Sequence, residues 1–178
     1  YLPQGDNHPV LVFPGFLASS RSTRPVRQFL ADIGYRSHRW KLCYNMGYSF
    51  KLHYGMRDRV TELVERYGEK ISLVGWSLGG VFSMYSAQST LECVRSVITL
   101  GSPVSVDAHS GSQSPTAVKA LYRLVSHRLG ASAHMMQPRA KAMRERRRLA
   151  IPTSCLYSLS DGVVPPQEAT IDGDPALH

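Results

Sequence analysis

Between residues 71 and 87 the chain changes character across a single pentapeptide. Ile71-Ser72-Leu73-Val74 is a short apolar run of β type, Gly80 to Ala87 is a small-residue stretch able to form a helix, and Gly75-Trp76-Ser77-Leu78-Gly79 joins them. A strand that passes into a helix through so tight a turn holds its middle residue in a strained conformation, and flanking glycines leave room for the neighbouring strand and helix. Such a turn lifts the Ser77 hydroxyl clear of a sheet. It also aims the unpaired N–H groups of the first helical turn at the space where a negatively charged oxygen would form. The letters G-x-S-x-G alone could be an ordinary turn in a chain with 14 glycines. The flanking β run and helix are what mark Ser77 as a nucleophile and Leu78 as the donor of the next N–H.

The rest of the chain alternates in the same way. Val10-Leu11-Val12-Phe13, closed by Pro14-Gly15, reads as a strand buried on both faces. Val26, Phe29, Leu30 and Ile33 then recur at helical spacing after Pro25, with Gly34 as the stop. Tyr35 to Leu42 reads as a half-exposed edge strand, because Arg36, His38 and Arg39 interrupt its apolar residues. Met56, Val60, Leu63, Val64 and Tyr67 form a second helical stripe ended by Gly68. Val94 to Leu100 and Ser154 to Leu159 supply the last two β-type runs. Strands and helices alternating at these lengths predict an α/β fold, a doubly wound, mostly parallel sheet with helices on both faces.

A length of 178 residues suits one domain, here residues 1–178. No apolar stretch is long enough to cross a bilayer, so the chain reads as soluble, with its compartment left open. Cys43, Cys93 and Cys155 lack metal-ligand spacing and read as small buried residues. Residues 104–150 break the alternation. They leave and re-enter at the carboxyl ends of strands, the ligand-binding edge of an open parallel sheet, and are expected to form a helical cap over Ser77 rather than a peripheral excursion. Much of the formal charge of +8 sits there, in Arg139, Lys141, Arg144, Arg146, Arg147 and Arg148 against Glu145 alone. With no aromatic residues interleaved to stack on bases, this run reads as a solvated helix face, and no nucleic-acid partner is expected. Peripheral contact with an anionic surface is the alternative.

Four segments in order carry a resemblance: Pro14-Gly15-Phe16 after the first strand, Val74 to Gly80, Thr99-Leu100-Gly101-Ser102-Pro103, and Tyr157 to Pro165 with its Asp161-Gly162-Val163-Val164-Pro165. Together they make the chain resemble an α/β-hydrolase of the lipase and esterase type. The resemblance implies Ser77 as nucleophile, Asp161 as the acid that orients a histidine, and the backbone N–H groups of Phe16 and Leu78 as an oxyanion hole. Phe16 also reads as a plain core aromatic, and Asp107 competes with Asp161 for the acid, although Asp161 sits directly at a strand end.

In this fold the partners follow in the order serine, acid, histidine, and only His178 follows Asp161. Residues 163–177, with Pro165, Pro166, Gly173 and Pro175, offer no strand to carry a histidine loop. The chain therefore reads as a truncated hydrolase whose base lies beyond its end, with His178 as the alternative within it. The expected activity is hydrolysis of carboxylic esters on small-molecule or lipid substrates through an acyl-serine intermediate, with no metal or organic cofactor. Acyl transfer to an alcohol, or a non-catalytic protein that binds acidic surfaces, are the other readings.

Overall fold

The computed structural model of the chain describes residues 4–105 and 151–171. The strands are β1 (Pro9–Phe13), β2 (Arg36–Arg39), β3 (Ile71–Trp76), β4 (Val94–Leu100) and β5 (Thr153–Leu156). Between them lie α1 (Arg24–Asp32), α2 (Phe50–Tyr67) and α3 (Leu78–Ser89), and a single turn of helix, α4 (Pro166–Ala169), follows β5. The sheet runs β2-β1-β3-β4-β5, and every neighbouring pair is parallel.

Parallel strands need long crossovers, and these cover the sheet on both faces. Side chains alternate along β1, so Leu11 and Phe13 join Leu73, Val97, Met56, Val60, Leu63 and Phe82 in the larger core, beneath α2 and α3. Val10 and Val12 point the other way and meet Val74, with Val26 and Leu30 of α1 packed against them. Leu11, Val12 and Leu73 are fully buried. Each such aliphatic side chain contributes about 1.5–3 kcal/mol relative to an exposed one. The ring of Trp40 meets Phe13 edge-on, with centroids 6.3 Å apart, and closes this core beneath the loop that follows β2.

The helix ends are set locally. Pro25 occupies the first turn of α1, where a missing N–H costs nothing. The Ser49 hydroxyl accepts from the amide of Leu52 at the start of α2, and Gly68 ends that helix at φ 66°.

Two strands are shorter than the sequence predicts. β2 lasts only while it has a partner, from Pro9↔Arg36 to Val12↔Arg39, after which Trp40 turns into the core. β5 ends at Leu156, opposite Leu100, because Gly101 then leaves the sheet at φ 50°. The cysteines also differ from expectation: Cys43 is exposed and Cys93 and Cys155 are half-buried. Cys43 falls in the loop after β2 and Cys155 in an edge strand, positions whose exposure follows from topology rather than residue type. Of the 104–150 segment only residues 104 and 105 are described; the expected cap, Asp107 and the arginine-rich run lie outside the described residues. Among the described residues no helix is long and apolar enough to cross a membrane.

Candidate active site

Four chain segments meet at the carboxyl edge of the sheet. Ser77, between β3 and α3, has φ 54° and ψ −124°, outside the regions open to ordinary L-residues. The turn holds because nothing around it has a side chain in the way. A Cβ on Gly75 would lie 2.4 Å from the Gly79 carbonyl oxygen and from Gly80 Cα, and one on Gly79 would lie 2.5 Å from the Phe13 carbonyl oxygen. The Ser77 amide donates to the Leu100 carbonyl at 2.9 Å, which ties the turn to β4, and its own carbonyl accepts from the Gly80 amide at 2.9 Å. Leu78 is the first residue of α3. Amides in that position have no carbonyl partner within their helix.

The loop after β1 lies against this turn. A Cβ on Gly15 would sit 3.4 Å from Ser77 Cβ and from the Trp76 carbonyl oxygen, so the absent side chain lets Pro14-Gly15-Phe16 approach the serine. Phe16 is half-buried. The loop turns on itself through the Ala18 amide, which donates to the Gly15 carbonyl at 3.2 Å, and Leu17 takes a positive φ of 57°.

Asp161 reaches the same edge from the far side. The Gly101 amide donates to the Leu156 carbonyl at 2.8 Å, which joins the ends of β4 and β5. Over this junction, Asp161 Oδ2 lies 3.1 Å from where a Gly101 Cβ would be. Asp161 Oδ1 accepts from the amides of Val163 at 2.8 Å and Val164 at 3.1 Å, fixing the carboxylate in a turn. Leu100 and Gly101 are consecutive, so the residue that holds the Ser77 amide adjoins the one facing the carboxylate.

The described histidines are engaged elsewhere. His8 is buried at the amino edge of the sheet, with Nε2 3.0 Å from Ser72 Oγ and Nδ1 3.4 Å from Glu69. His38, on edge strand β2, hydrogen-bonds Tyr67 at 3.0 Å; burial first, and then Arg59 and Arg66, push its pKa down to about 4. His53, in α2, packs its ring against Tyr54 and Tyr85. His109, His127, His134 and His178 lie outside the described residues. Among the described residues no cluster of histidine, cysteine and carboxylate side chains could hold a metal ion.

Two further buried residues pack against the serine turn and the loop beside it. Ser102 is fully buried beneath the start of α3, where a Cβ on Gly80 would lie 2.1 Å from its hydroxyl oxygen. Asn45 is also fully buried, and its side chain donates to the Pro14 carbonyl at 2.8 Å. The only local hint of Asn45 in the sequence was its place two residues before Gly47, a turn pattern.

This architecture recurs among solved structures. The lipase BlEst2 of Bacillus licheniformis, in mature form, matches at TM-score 0.66 and 18% identity over 99% of this chain and 84% of its own. An α/β hydrolase from the sediment metagenome of the Mar Chica lagoon, MGS-MChE2, matches at 0.59 and 18% over 94% and 75%. A deformylase of Pseudomonas putida S16 matches at 0.59 and 14% over 93% and 79%. No protein-family model matches the sequence, and comparison with curated proteins finds no match. The chain has the α/β-hydrolase fold.

Proposed function

We propose that this chain is a serine hydrolase that cleaves carboxylic esters through an acyl-serine intermediate. The observation that carries the reading is the conformation of Ser77: a serine at φ 54° between a buried strand and a helix N-terminus, with Gly15 packed against it. A backbone strained in this way persists only where its surroundings over-determine it, and such residues cluster at functional sites.

A histidine supplied from outside the described residues takes the Ser77 proton as Oγ bonds to the acyl carbon. The carbonyl π electrons move onto its oxygen, held by the N–H groups of Phe16 and Leu78. The oxyanion then collapses, the bond to the alcohol oxygen breaks, and the histidine returns the proton to that leaving group. Water repeats the sequence on the acyl-enzyme and releases the acid and free Ser77. Asp161 orients the histidine, its turn already fixed by the Val163 and Val164 amides.

The fold alone does not set the ester class, since a deformylase shares it; the surroundings of the serine support that class. Trp76, the last residue of β3, and Leu17, Leu159 and Val163, beyond the carboxyl ends of β1 and β5, leave apolar surface exposed. That surface suits the hydrocarbon part of an ester, and a lipase stands among the solved structures this chain is similar to.

In the full-length protein, Ser77→Ala should abolish turnover of short p-nitrophenyl esters and labelling by a fluorophosphonate. Asp161→Asn, which keeps the oxygen that accepts from residues 163 and 164, should lower kcat by roughly 10⁴, whereas Asp107→Asn should not. Unchanged turnover in Ser77→Ala removes the serine from the reaction.

A further inference from the structure

The loop carrying the Phe16 N–H holds its shape through a residue on another segment. Asn45, in the connection between β2 and α2, is fully buried and makes three bonds to that loop. Its side-chain Nδ2 donates to the Pro14 carbonyl at 2.8 Å. Its backbone amide donates to the Ala18 carbonyl at 2.8 Å, and its backbone carbonyl accepts from the Leu17 amide at 2.8 Å. A fourth bond, from the Gly47 amide to Asn45 Oδ1 at 3.2 Å, fixes the side-chain amide the right way round for Nδ2 to face Pro14.

These contacts bracket one peptide unit. The Phe16 N–H belongs to the Gly15–Phe16 peptide, and the groups pinned by Asn45 are the carbonyl before it and the amide and carbonyl after it. Gly15 has no side chain to oppose rotation of that peptide, and Leu17 already occupies a costly positive φ. Within the loop this peptide is held by the bond from the Ala18 amide to the Gly15 carbonyl, 3.2 Å long, and the bonds to Asn45 fix the chain on either side of it. The Pro14 carbonyl is also boxed in by α3, since a Cβ on Gly79 would lie 2.6 Å from it, so a protein donor must satisfy it.

We propose that Asn45 is a positioning residue for acyl transfer: by clamping residues 14–18 it holds the Phe16 N–H aimed at the oxygen of the tetrahedral intermediate. The inference rests on the serine-hydrolase reading above. It assigns Asn45 an effect on the transition state rather than on substrate binding, since the ground-state carbonyl asks less of the hole than the oxyanion does.

The test compares full-length wild type with Asn45→Asp, which keeps the acceptor for Gly47 but sets an oxygen against the Pro14 carbonyl, and with Asn45→Ala, which leaves both backbone bonds in place. Reactive serine is counted by fluorophosphonate titration, and kcat and KM for a p-nitrophenyl ester are expressed per reactive serine. A misaimed donor is expected to lower kcat tenfold to a hundredfold, with KM within about threefold. Affinity for an alkyl boronic acid, which mimics the tetrahedral state, should fall in parallel with kcat. A purely structural Asn45 would lower melting temperature and the number of reactive serines while leaving kcat per serine and boronate affinity within twofold; that result overturns the inference alone. A wild-type protein that neither turns over ester nor reacts with the fluorophosphonate overturns the proposed function, and this inference with it.

Discussion

Replacing Ser77 by glycine should make the protein more stable than replacing it by alanine. Both substitutions remove the same hydroxyl, so the difference between them isolates the backbone. At φ 54° and ψ −124° a residue with a Cβ bears a cost of about 1–3 kcal/mol, which glycine escapes. Against this, glycine loses more chain entropy on folding, about 0.5–1 kcal/mol relative to alanine. The balance leaves Ser77→Gly ahead of Ser77→Ala by up to about 2.5 kcal/mol, or up to about 10 °C in Tm for a chain of this size. Urea unfolding followed by circular dichroism measures it, with equal m-values confirming that the unfolded states are comparable. At an unstrained position the order reverses and glycine is the less stable. Finding that reversed order here would refute the claim that the turn stores strain, and with it the main structural support for Ser77 as nucleophile.

Packing beneath the turn gives a second expectation. Gly80→Ala should cost about 1–3 kcal/mol by overpacking. Ser102→Gly should relieve most of that cost in the double variant, whereas Ser102→Ala should relieve only part, because Cβ of residue 102 would still stand 2.6 Å from the new methyl. Strict additivity in this cycle would show that the two residues do not meet. A third concerns acid. His38 has a folded-state pKa of about 4 against an ordinary 6.5, from burial and then the cations Arg59 and Arg66, so the unfolded chain binds the proton more readily between those values. Stability is complete above about pH 6.5 and falls as pH drops towards 4. Glu62, held down to about 2 by Arg59 and Lys41, adds a further loss between about 4.5 and 2. Urea midpoints measured from pH 7 to pH 4 should fall for wild type and fall less for His38→Gln; equal slopes would remove His38 as the cause.

The parts of this molecule that were readable beforehand are those fixed by neighbours in the chain. The strand into Ser77, the glycines around it, Pro25 at the head of α1 and Gly68 at the foot of α2 each report local backbone geometry. The turn at Asp161 was readable because Asp-Gly is a local turn former, although β5 stops at Leu156 and leaves Asp161 in the loop beyond it rather than directly at the strand end. Asn45 was not, since its side chain bonds Pro14, 31 residues earlier, and nothing between them signals the contact. Ser102, in the Thr99–Pro103 segment, follows a strand, but its burial comes from the close approach of α3, which no neighbour in the chain reports. The lengths of β2 and β5 depended on where β1 and β4 stop offering hydrogen bonds, a fact held by the partner strand.

β1 and β3 are neighbours in the interior of the sheet, with Val12 level with Val74 and Phe13 with Gly75. The serine follows one of them and the Phe16 loop the other, so their alignment is set by a ladder whose amides should be among the last to exchange with solvent deuterium. Fraying of β2 or β5 at the margins leaves that ladder whole. Heating should therefore keep the serine and the loop in register until the domain melts as a unit, and inactivation should track the cooperative transition instead of preceding it.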